Sequence, residues 1–270
     1  MRSLIPSLEL ARRVTDVAVA YTLARMRILE RIPGNPIGVE IRISGNVAAL
    51  MARHLPSPAF NSVVGLRSGE AEHVAALVEW YRANDVAGRF EISAADNDPA
   101  VGQELARLGY FQSGFHAALV GVRHEDVEAD RGIAIDPVTS SAEMEEFLSA
   151  YVAGRRIPPA LHEQFKQNVR PWLGAPGWTL YLARVDGHAA AAAILFMHEG
   201  VGYLADAATA PPFRGRGLHA ALLRRRLRDA EDAGAAFACS GADFLSTSHR
   251  NMERAGMRLL FLRAIWTPLD

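Results

Sequence analysis

The sequence predicts an α/β protein of the α+β type, with two related halves that each contain a mixed, mostly antiparallel sheet flanked by helices. In both halves, strand-like runs alternate with segments whose apolar residues recur at helical spacing. The dipeptide Asp186-Gly187 joins two strand-like runs, and Asp-Gly is a strong hairpin signal. The separations Leu77 to Gly109 and Leu222 to Gly256, each from one helix to the glycine that ends a later one, are nearly equal and indicate an internal duplication.

The composition narrows the classes of function. The 270 residues include 29 Lys+Arg and 30 Asp+Glu, a balance that gives no support to a nucleic-acid partner. Cys239 is the only cysteine, so no internal disulfide can form and a cytoplasmic location is predicted. The most apolar run, 189–197, is bracketed by His188 and His198 and is too short to span a bilayer, so we expect no membrane partner. We also expect no metal site, and the sequence leaves a homodimer open.

The first half is predicted to begin with a helix over 8–30, whose apolar residues share one face and which Pro33-Gly34-Asn35-Pro36 ends. A short helix is predicted over 47–55, between a Ser-Gly-Asn turn and two prolines. The other predicted elements of this half are strands at 37–43, 60–66, 90–93 and 115–122 and helices at 70–82 and 99–108. A polar linker is predicted over 124–131.

This linker divides the chain into predicted domains at 1–130 and 131–270. In the second domain, Ser140 with Glu143 three residues later has the pattern of a capping box at a helix start. Its predicted strands are 133–138, 178–185, 188–198, 201–209, 236–240 and 258–266, and its predicted helices are 141–153, 160–173, 218–232 and 247–255.

A glycine-rich loop between a predicted strand and the helix that opens at Leu218 is the candidate binding element. Pro211 and Pro212 stop the strand because they have no N–H for its ladder. Gly215 and Gly217 allow positive φ and the close approach of a ligand to the backbone. The helix opens with unpaired N–H groups and a partial positive charge, which favour a phosphate or a pyrophosphate.

The loop sequence Arg214-Gly215-Arg216-Gly217 follows a three-strand meander and two helices. The arrangement resembles the GNAT superfamily of acetyl-CoA-dependent N-acetyltransferases, whose phosphate loop reads Arg/Gln-x-x-Gly-x-Gly/Ala. Arg214 and Gly217 match this pattern, but the last position is His219. The element order from 133 to 266 matches as well, and the first half resembles a degenerate copy. The resemblance therefore implies a tandem GNAT protein in which only the second domain binds acetyl-CoA (coenzyme A).

The first half offers a poorer anion site in the corresponding loop, 65–72. Glu70 and Glu72 place carboxylates at the start of its helix, where they satisfy the helix dipole and repel a pyrophosphate. This domain is expected to be structural or to shape the substrate site. For the second half a competing interpretation stays open, because residues 215–220 also fit the dinucleotide pattern Gly-x-Gly-x-x-Gly/Ala, which predicts a parallel sheet and a nicotinamide-dependent oxidoreductase.

The resemblance also implies roles for residues of the second half. The strand over 201–209 polarises the thioester carbonyl with its backbone, and the loop and a later helix hold the cofactor. The cofactor-binding residues implied in this way are Ala207, Ala208, Thr209, Arg214, Gly215, Arg216, Gly217, Leu218, His219, Ser248 and Asn251. Tyr203 and Asp206 are the implied catalytic residues, as candidate bases for the amine, with Asp243 as a third option.

The predicted function is transfer of an acetyl group from acetyl-CoA to a primary amine of a small molecule, an amino acid or a peptide, by direct attack of the amine. The alternative is a non-catalytic acyl-CoA-binding protein for sensing or assembly. It is favoured by Met252, which stands where the family often has a Tyr that protonates the leaving thiolate, and by the lack of a clear base. The arginines at 224, 225, 226 and 228 point in different directions on a helix and predict a mostly solvated face, with one or two near the cofactor's 3′-phosphate.

Overall fold

A computed structural model describes residues 5–122 and 132–269 of the chain. Among these residues, two compact units are present. The N-terminal unit comprises Ile5–Ala118, Ala242–Phe244 and residues 259–269. The C-terminal unit comprises the remaining described residues up to Arg258. The predicted linker over 124–131 and the boundary at 130/131 lie outside the described residues, so the division at that point stays a prediction.

The N-terminal unit contains a sheet with the strand order β1-β2-β3-β4-β11-β5. Its elements are α1 (Leu8–Glu30), β1 (Val39–Ser44), β2 (Val47–Ala52), β3 (Ser62–Val64), α2 (Glu72–Arg82), β4 (Arg89–Ser93), α3 (Pro99–Arg107), β5 (Tyr110–Gly121, whose last residues from Leu119 belong to the C-terminal unit) and β11 (Arg258–Pro268). The β3–β4 pair is parallel, and the β1–β2, β2–β3 and β4–β11 pairs are antiparallel. The predicted helix over 8–30 is confirmed as α1, with the Ser7 side chain as its N-cap.

Residues 47–55 were predicted to form a short helix, and this prediction is wrong. Gly45, at φ +57°, and Asn46 close a two-residue turn, so that Ser44 pairs with Val47 and the chain continues as β2. All six residues of β2 are buried, and no polar alternation marks it as a strand. A short, fully apolar run has no periodicity that separates a buried strand from a helix, and the turn decides between them.

The C-terminal unit contains a sheet with the strand order β10-β9-β8-β7-β6. Its elements are β6 (Ile133–Pro137), α4 (Ser141–Arg155), α5 (His162–Val169), β7 (Trp178–Val185), β8 (His188–His198), β9 (Val201–Thr209), α6 (Leu218–Asp232), β10 (Phe237–Asp243, whose last two residues belong to the N-terminal unit) and α7 (Thr247–Arg254). The strands from β6 to β9 are antiparallel, and β9 and β10 are parallel and connected through α6. The predicted helix over 160–173 is shorter than expected, because 3-10 turns that include Pro159 and Pro171 flank α5.

The mixed, mostly antiparallel sheets flanked by helices confirm the predicted fold class. In each half of the sequence, three antiparallel strands are followed by a helix, a parallel strand, a second helix and a final strand. The final strand of the chain, β11, was predicted with the second half, but it pairs with β4, for example Trp266 with Phe90. Of the helices within the described ranges, none is long and apolar enough to cross a membrane.

Candidate functional site

The glycine-rich loop forms one wall of a cleft of about 500 Å³ in the C-terminal unit. Other walls come from the end of β9, the first turn of α6 and the start of α7. The predicted cofactor-binding residues that line the cleft are Ala207, Thr209, Arg214, Gly215, Gly217, Leu218, His219, Ser248 and Asn251. Ala208 and Arg216 were also predicted to bind the cofactor, but they are not among the lining residues. The lining residues that the sequence analysis missed are Phe213, Ala220 and Thr247.

The backbone of the loop is arranged for an anion. Gly215 and Gly217 have φ of +78° and +79°, in the region that favours glycine, and Gly217 is the N-cap of α6. Within the described chain, the N–H groups of residues 215–220 have no protein acceptor. A Cβ atom on Gly215 would meet nothing within 4 Å, so the space in front of the loop is open. Since no acidic side chain is among the described residues that line the cleft, its chemistry fits a diphosphate.

Arg214 holds the loop against two other elements. Its Nε donates to the Thr209 carbonyl at 3.2 Å, and its Nη2 donates to the Gly154 carbonyl at 3.1 Å. These bonds tie the end of β9 to the last turn of α4. At Gly154 the two elements are so close that a Cβ atom would lie 2.8 Å from the Ala208 Cβ. The Ala208 side chain therefore faces α4, which explains its absence from the cleft.

The strand β9 is irregular where it borders the cleft. The pairing with β8 shifts by one residue between Ala192↔Ala208 and Ile194↔Ala205, so Asp206 and Ala207 form a β-bulge. The pairing of β9 with β10 covers only Val201–Tyr203 and Phe237–Cys239. Beyond it, the Ser240 hydroxyl donates to the Leu204 carbonyl at 2.7 Å, and the rest of this edge of β9 has no strand partner in the described chain.

This open edge of β9 presents backbone N–H groups. The Ala210 N–H donates to the Ala190 carbonyl of β8 at 2.9 Å. Because successive residues of a strand direct their N–H groups to opposite edges, the Thr209 N–H points away from β8. Ala207, two residues earlier, lines the cleft with Thr209. The edge can therefore bind a carbonyl oxygen in the same cleft as the loop.

The predicted catalytic residues Tyr203 and Asp206 lie on β9 but do not line this cleft. Asp206 is in the bulge with φ +41°, a conformation that is rare for residues other than glycine. Its Oδ1 accepts a hydrogen bond from Arg155 Nη1 at 3.1 Å, and its side chain is 13% exposed. Tyr203 is half-buried and stands opposite Cys239 in the β9–β10 ladder. Their catalytic roles stay predictions.

Asp243, the third candidate base, belongs to the N-terminal unit. Its Oδ1 lies 2.7 Å from the Nε2 of His116 on β5. Burial lowers the pKa of His116, against the opposite effect of Glu91, whose Oε2 lies 3.9 Å from the imidazole Nδ1. The sequence analysis missed His116, because strand pairing brings it to Asp243 from more than a hundred residues away.

His219 and Met252 are the positions that depart from the family pattern. His219 lines the cleft, and burial, with a smaller effect of Arg226, lowers its pKa to about 4. Its Nδ1 is buried and has no hydrogen-bond partner among the described atoms. The imidazole is therefore neutral at pH 7. Met252 is 5% exposed and belongs to the core beneath α7.

In the corresponding loop of the N-terminal unit, two N–H groups are bonded to the protein's own carboxylates. Glu70 Oε2 accepts from the Arg67 N–H at 2.7 Å, and Asp98 Oδ2 accepts from the Gly69 N–H at 2.8 Å. Glu70 is one of the two carboxylates that were predicted to act here, and Asp98 adds one that the sequence analysis did not include. That this loop is a poor phosphate site stays a prediction.

Comparison with known proteins identifies the segment around the cleft. Residues 143–257 match the model of the acetyltransferase (GNAT) family. Over this segment the chain is similar to GNAT acetyltransferases. The segment includes β9, the glycine-rich loop, α6, β10 and α7, so the family match covers every element that lines the cleft. The antiparallel β8–β9 pair also departs from the parallel sheet that a dinucleotide fold predicts.

Solved structures of GNAT proteins resemble this chain in fold over most of its length. A GCN5-related N-acetyltransferase from Kribbella flavida is 17% identical, with a TM-score of 0.65, and the match covers 94% of this chain and 96% of that one. A second one, from Sphaerobacter thermophilus, is 17% identical, with a TM-score of 0.60 and coverage of 97% and 93%.

A tandem GNAT protein from the clavulanic acid biosynthesis pathway is 14% identical, with a TM-score of 0.61 and coverage of 97% and 96%. At these identities the likeness concerns the fold, and it confirms the predicted resemblance to GNAT proteins, tandem ones included. A search of curated proteins found no match to this chain.

Proposed function

We propose that the C-terminal unit transfers an acetyl group from acetyl-CoA to a primary amine of a small molecule, an amino acid or a peptide. The observation that carries the proposal is the run of unpaired N–H groups at residues 215–220, in one cleft with the open edge of β9. An anion site and a carbonyl-binding edge in the same cleft are what a thioester with a diphosphate requires.

Each wall of the cleft has a part in this proposal. When bound, acetyl-CoA supplies the acyl group as an activated thioester. The N–H groups of the loop and of the first turn of α6 hold the diphosphate, and Ser248 and Asn251 on α7 offer hydrogen bonds to the pantetheine arm. The backbone N–H groups of Ala207 and Thr209 would stabilise the negative charge that develops on the acyl oxygen when the amine attacks directly.

The amine must lose a proton before or during attack, and the bulge provides a carboxylate for this step. Asp206 is the base that we propose, and Tyr203 is its alternative on the same strand. The Arg155 guanidinium, whose Nη1 lies 3.1 Å from Asp206 Oδ1, favours the ionised carboxylate, which is the form that accepts a proton. We propose one cofactor per chain, because Glu70 and Asp98 occupy the loop of the N-terminal unit.

A non-catalytic acyl-CoA-binding protein is the second candidate function. Met252 favours it, because a buried thioether replaces a group that could protonate the leaving thiolate. The two functions share the cleft and differ in turnover. Release of free thiol from acetyl-CoA in a single turnover, with a panel of amines, separates them: release that depends on an amine supports the enzyme, and binding without release supports the second function.

The cleft assignment is tested with Gly217→Asp. The added carboxylate stands at the N-terminus of α6, so we expect no coenzyme A binding by calorimetry and an intact fold by circular dichroism. The control is Gly234→Asp, at the other end of the same helix, with a similar φ of +85° and nothing within 4 Å of its Cβ position. Unchanged coenzyme A affinity in Gly217→Asp contradicts the assignment.

A further inference from the structure

Arg226, in the middle of α6, is a buried cation directly behind the bulge of β9. Its side chain is among the largest that are fully buried, and the residue is 1% exposed. Burial lowers its pKa to about 10, so it carries its charge at neutral pH. A buried charge is costly unless hydrogen bonds satisfy it, so the hydrogen-bond partners of Arg226 indicate its role in the structure.

One nitrogen of Arg226 connects the two strands of the bulge. Its Nη1 donates to the Ile194 carbonyl of β8 at 2.9 Å and to the Ala205 carbonyl of β9 at 3.0 Å. Ile194 and Ala205 form the register pair next to the bulge, immediately before Asp206 and Ala207. The Nε donates to the Leu222 carbonyl at 3.0 Å, which fixes the guanidinium to its own helix.

We propose that Arg226 is a positioning residue for acyl transfer: it fixes the β9 bulge so that the Ala207 N–H stays directed into the cleft. This inference rests on the proposed function. Asp206 holds a left-handed conformation in the bulge, which is strained for a residue other than glycine and persists only where surrounding contacts impose it. The two charged hydrogen bonds to Ile194 and Ala205 are such contacts, because they act on both strands at the point where the register changes.

The same charge favours the reaction directly. The guanidinium is hydrogen-bonded to the carbonyl of Ala205, two residues before Ala207 in the chain, and it is buried from water. Its charge therefore raises the electrostatic potential where the acyl oxygen becomes negative. Arg226 is 1% exposed and does not line the cleft, so a ligand in the cleft does not contact it. Its loss should therefore slow transfer and leave the binding of coenzyme A unchanged.

The test compares Arg226→Met and Arg226→Lys with Arg225→Met. Arg225 is the neighbouring guanidinium on α6, but its partners are Asp229 and the Ile135 carbonyl, away from the bulge. Hydrogen–deuterium exchange of the peptide over 203–209, coenzyme A affinity by calorimetry, and amine-dependent thiol release are measured for each variant.

For Arg226→Met we expect exchange in this peptide to be about tenfold faster, since a buried charged hydrogen bond is lost, and transfer to be slower on the order of 10²-fold. Coenzyme A affinity should not change. Arg226→Lys keeps the charge and a donor, so it should restore part of the rate, and it replaces the Met variant if that protein does not fold. Arg225→Met should exchange and react as wild type.

Two outcomes overturn the inference and are distinct. In the first, wild type transfers acetyl groups, and the Arg226 variants have the same hydrogen–deuterium exchange over 203–209 or the same rate of thiol release as wild type. Arg226 then does not position the bulge, and the proposed function stands. If wild type neither binds coenzyme A nor releases thiol, the proposed function fails and the inference fails with it.

Discussion

We expect the neutral His219 imidazole to make the stability of the C-terminal unit sensitive to acid. Its pKa in the folded protein is about 4, against an ordinary value of 6.5, chiefly because of burial. The neutral form is favoured in the folded state, so this contribution to stability is fully present above pH 6.5 and is lost as the pH falls toward 4. Between pH 7 and pH 5 the loss is about 2 kcal/mol, from 1.36 kcal/mol for each pKa unit of difference.

The replacement His219→Gln removes this titration and keeps a polar side chain of similar length. We expect urea denaturation to show a loss of stability between pH 7 and pH 5 that is about 2 kcal/mol larger in wild type than in the variant. Other groups, such as His116, titrate in both proteins and cancel in the difference. A proton NMR titration of the nine histidines gives the pKa directly, with His219 assigned as the resonance that the variant lacks.

The reasoning about His219 is refuted by either of two results. One is an equal pH dependence of stability in wild type and in His219→Gln. The other is a measured His219 pKa at or above 6.5 in the free protein, which would mean that the buried Nδ1 has found a partner that favours the charged form.

Two further predictions concern the contacts around the two loops. Gly154→Ala places a methyl group 2.8 Å from the Ala208 Cβ, so it should lower the free energy of unfolding by about 1–3 kcal/mol and slow thiol release. The control is Gly102→Ala on α3, which has its nearest neighbour at 3.6 Å and should be neutral or stabilising. Equal effects of the two changes in denaturation would contradict the close packing at Gly154. Glu70→Ala frees the Arg67 N–H but leaves Asp98 bonded to Gly69, so calorimetry should still give one coenzyme A per chain, and two per chain would contradict the proposal.

Local signals predicted the elements around the site well. The strands over 178–185, 188–198 and 201–209 are found with their predicted bounds, because turn dipeptides mark their ends. The helix that opens at Leu218 was likewise predicted, because two prolines and two glycines leave no other start. These signals act within a few residues of the feature that they predict.

The features that the sequence did not predict depend on distant contacts. β11 pairs with β4, more than 150 residues away, and no local pattern encodes such a pairing. Arg226 was grouped with a mostly solvated arginine face, yet it is buried because the bulge of β9 supplies its carbonyl partners. The bulge is a change in the pairing register between β8 and β9. The alternation of polar and apolar residues within β9 alone does not reveal such a change.

The two halves share one topology but differ in the hydrogen bonds of their loops, which leads us to expect different binding properties. Each has a strand, a glycine-containing loop, a helix and a parallel strand, so the helix dipole is directed alike in both. In the N-terminal unit, Glu70 and Asp98 accept the loop N–H groups, and an external anion would have to displace carboxylates that are already bonded. In the C-terminal unit, Gly217 caps α6 without a side chain. We therefore expect the two loops to differ in anion affinity because different acceptors satisfy their N–H groups, even where the two backbones follow the same path.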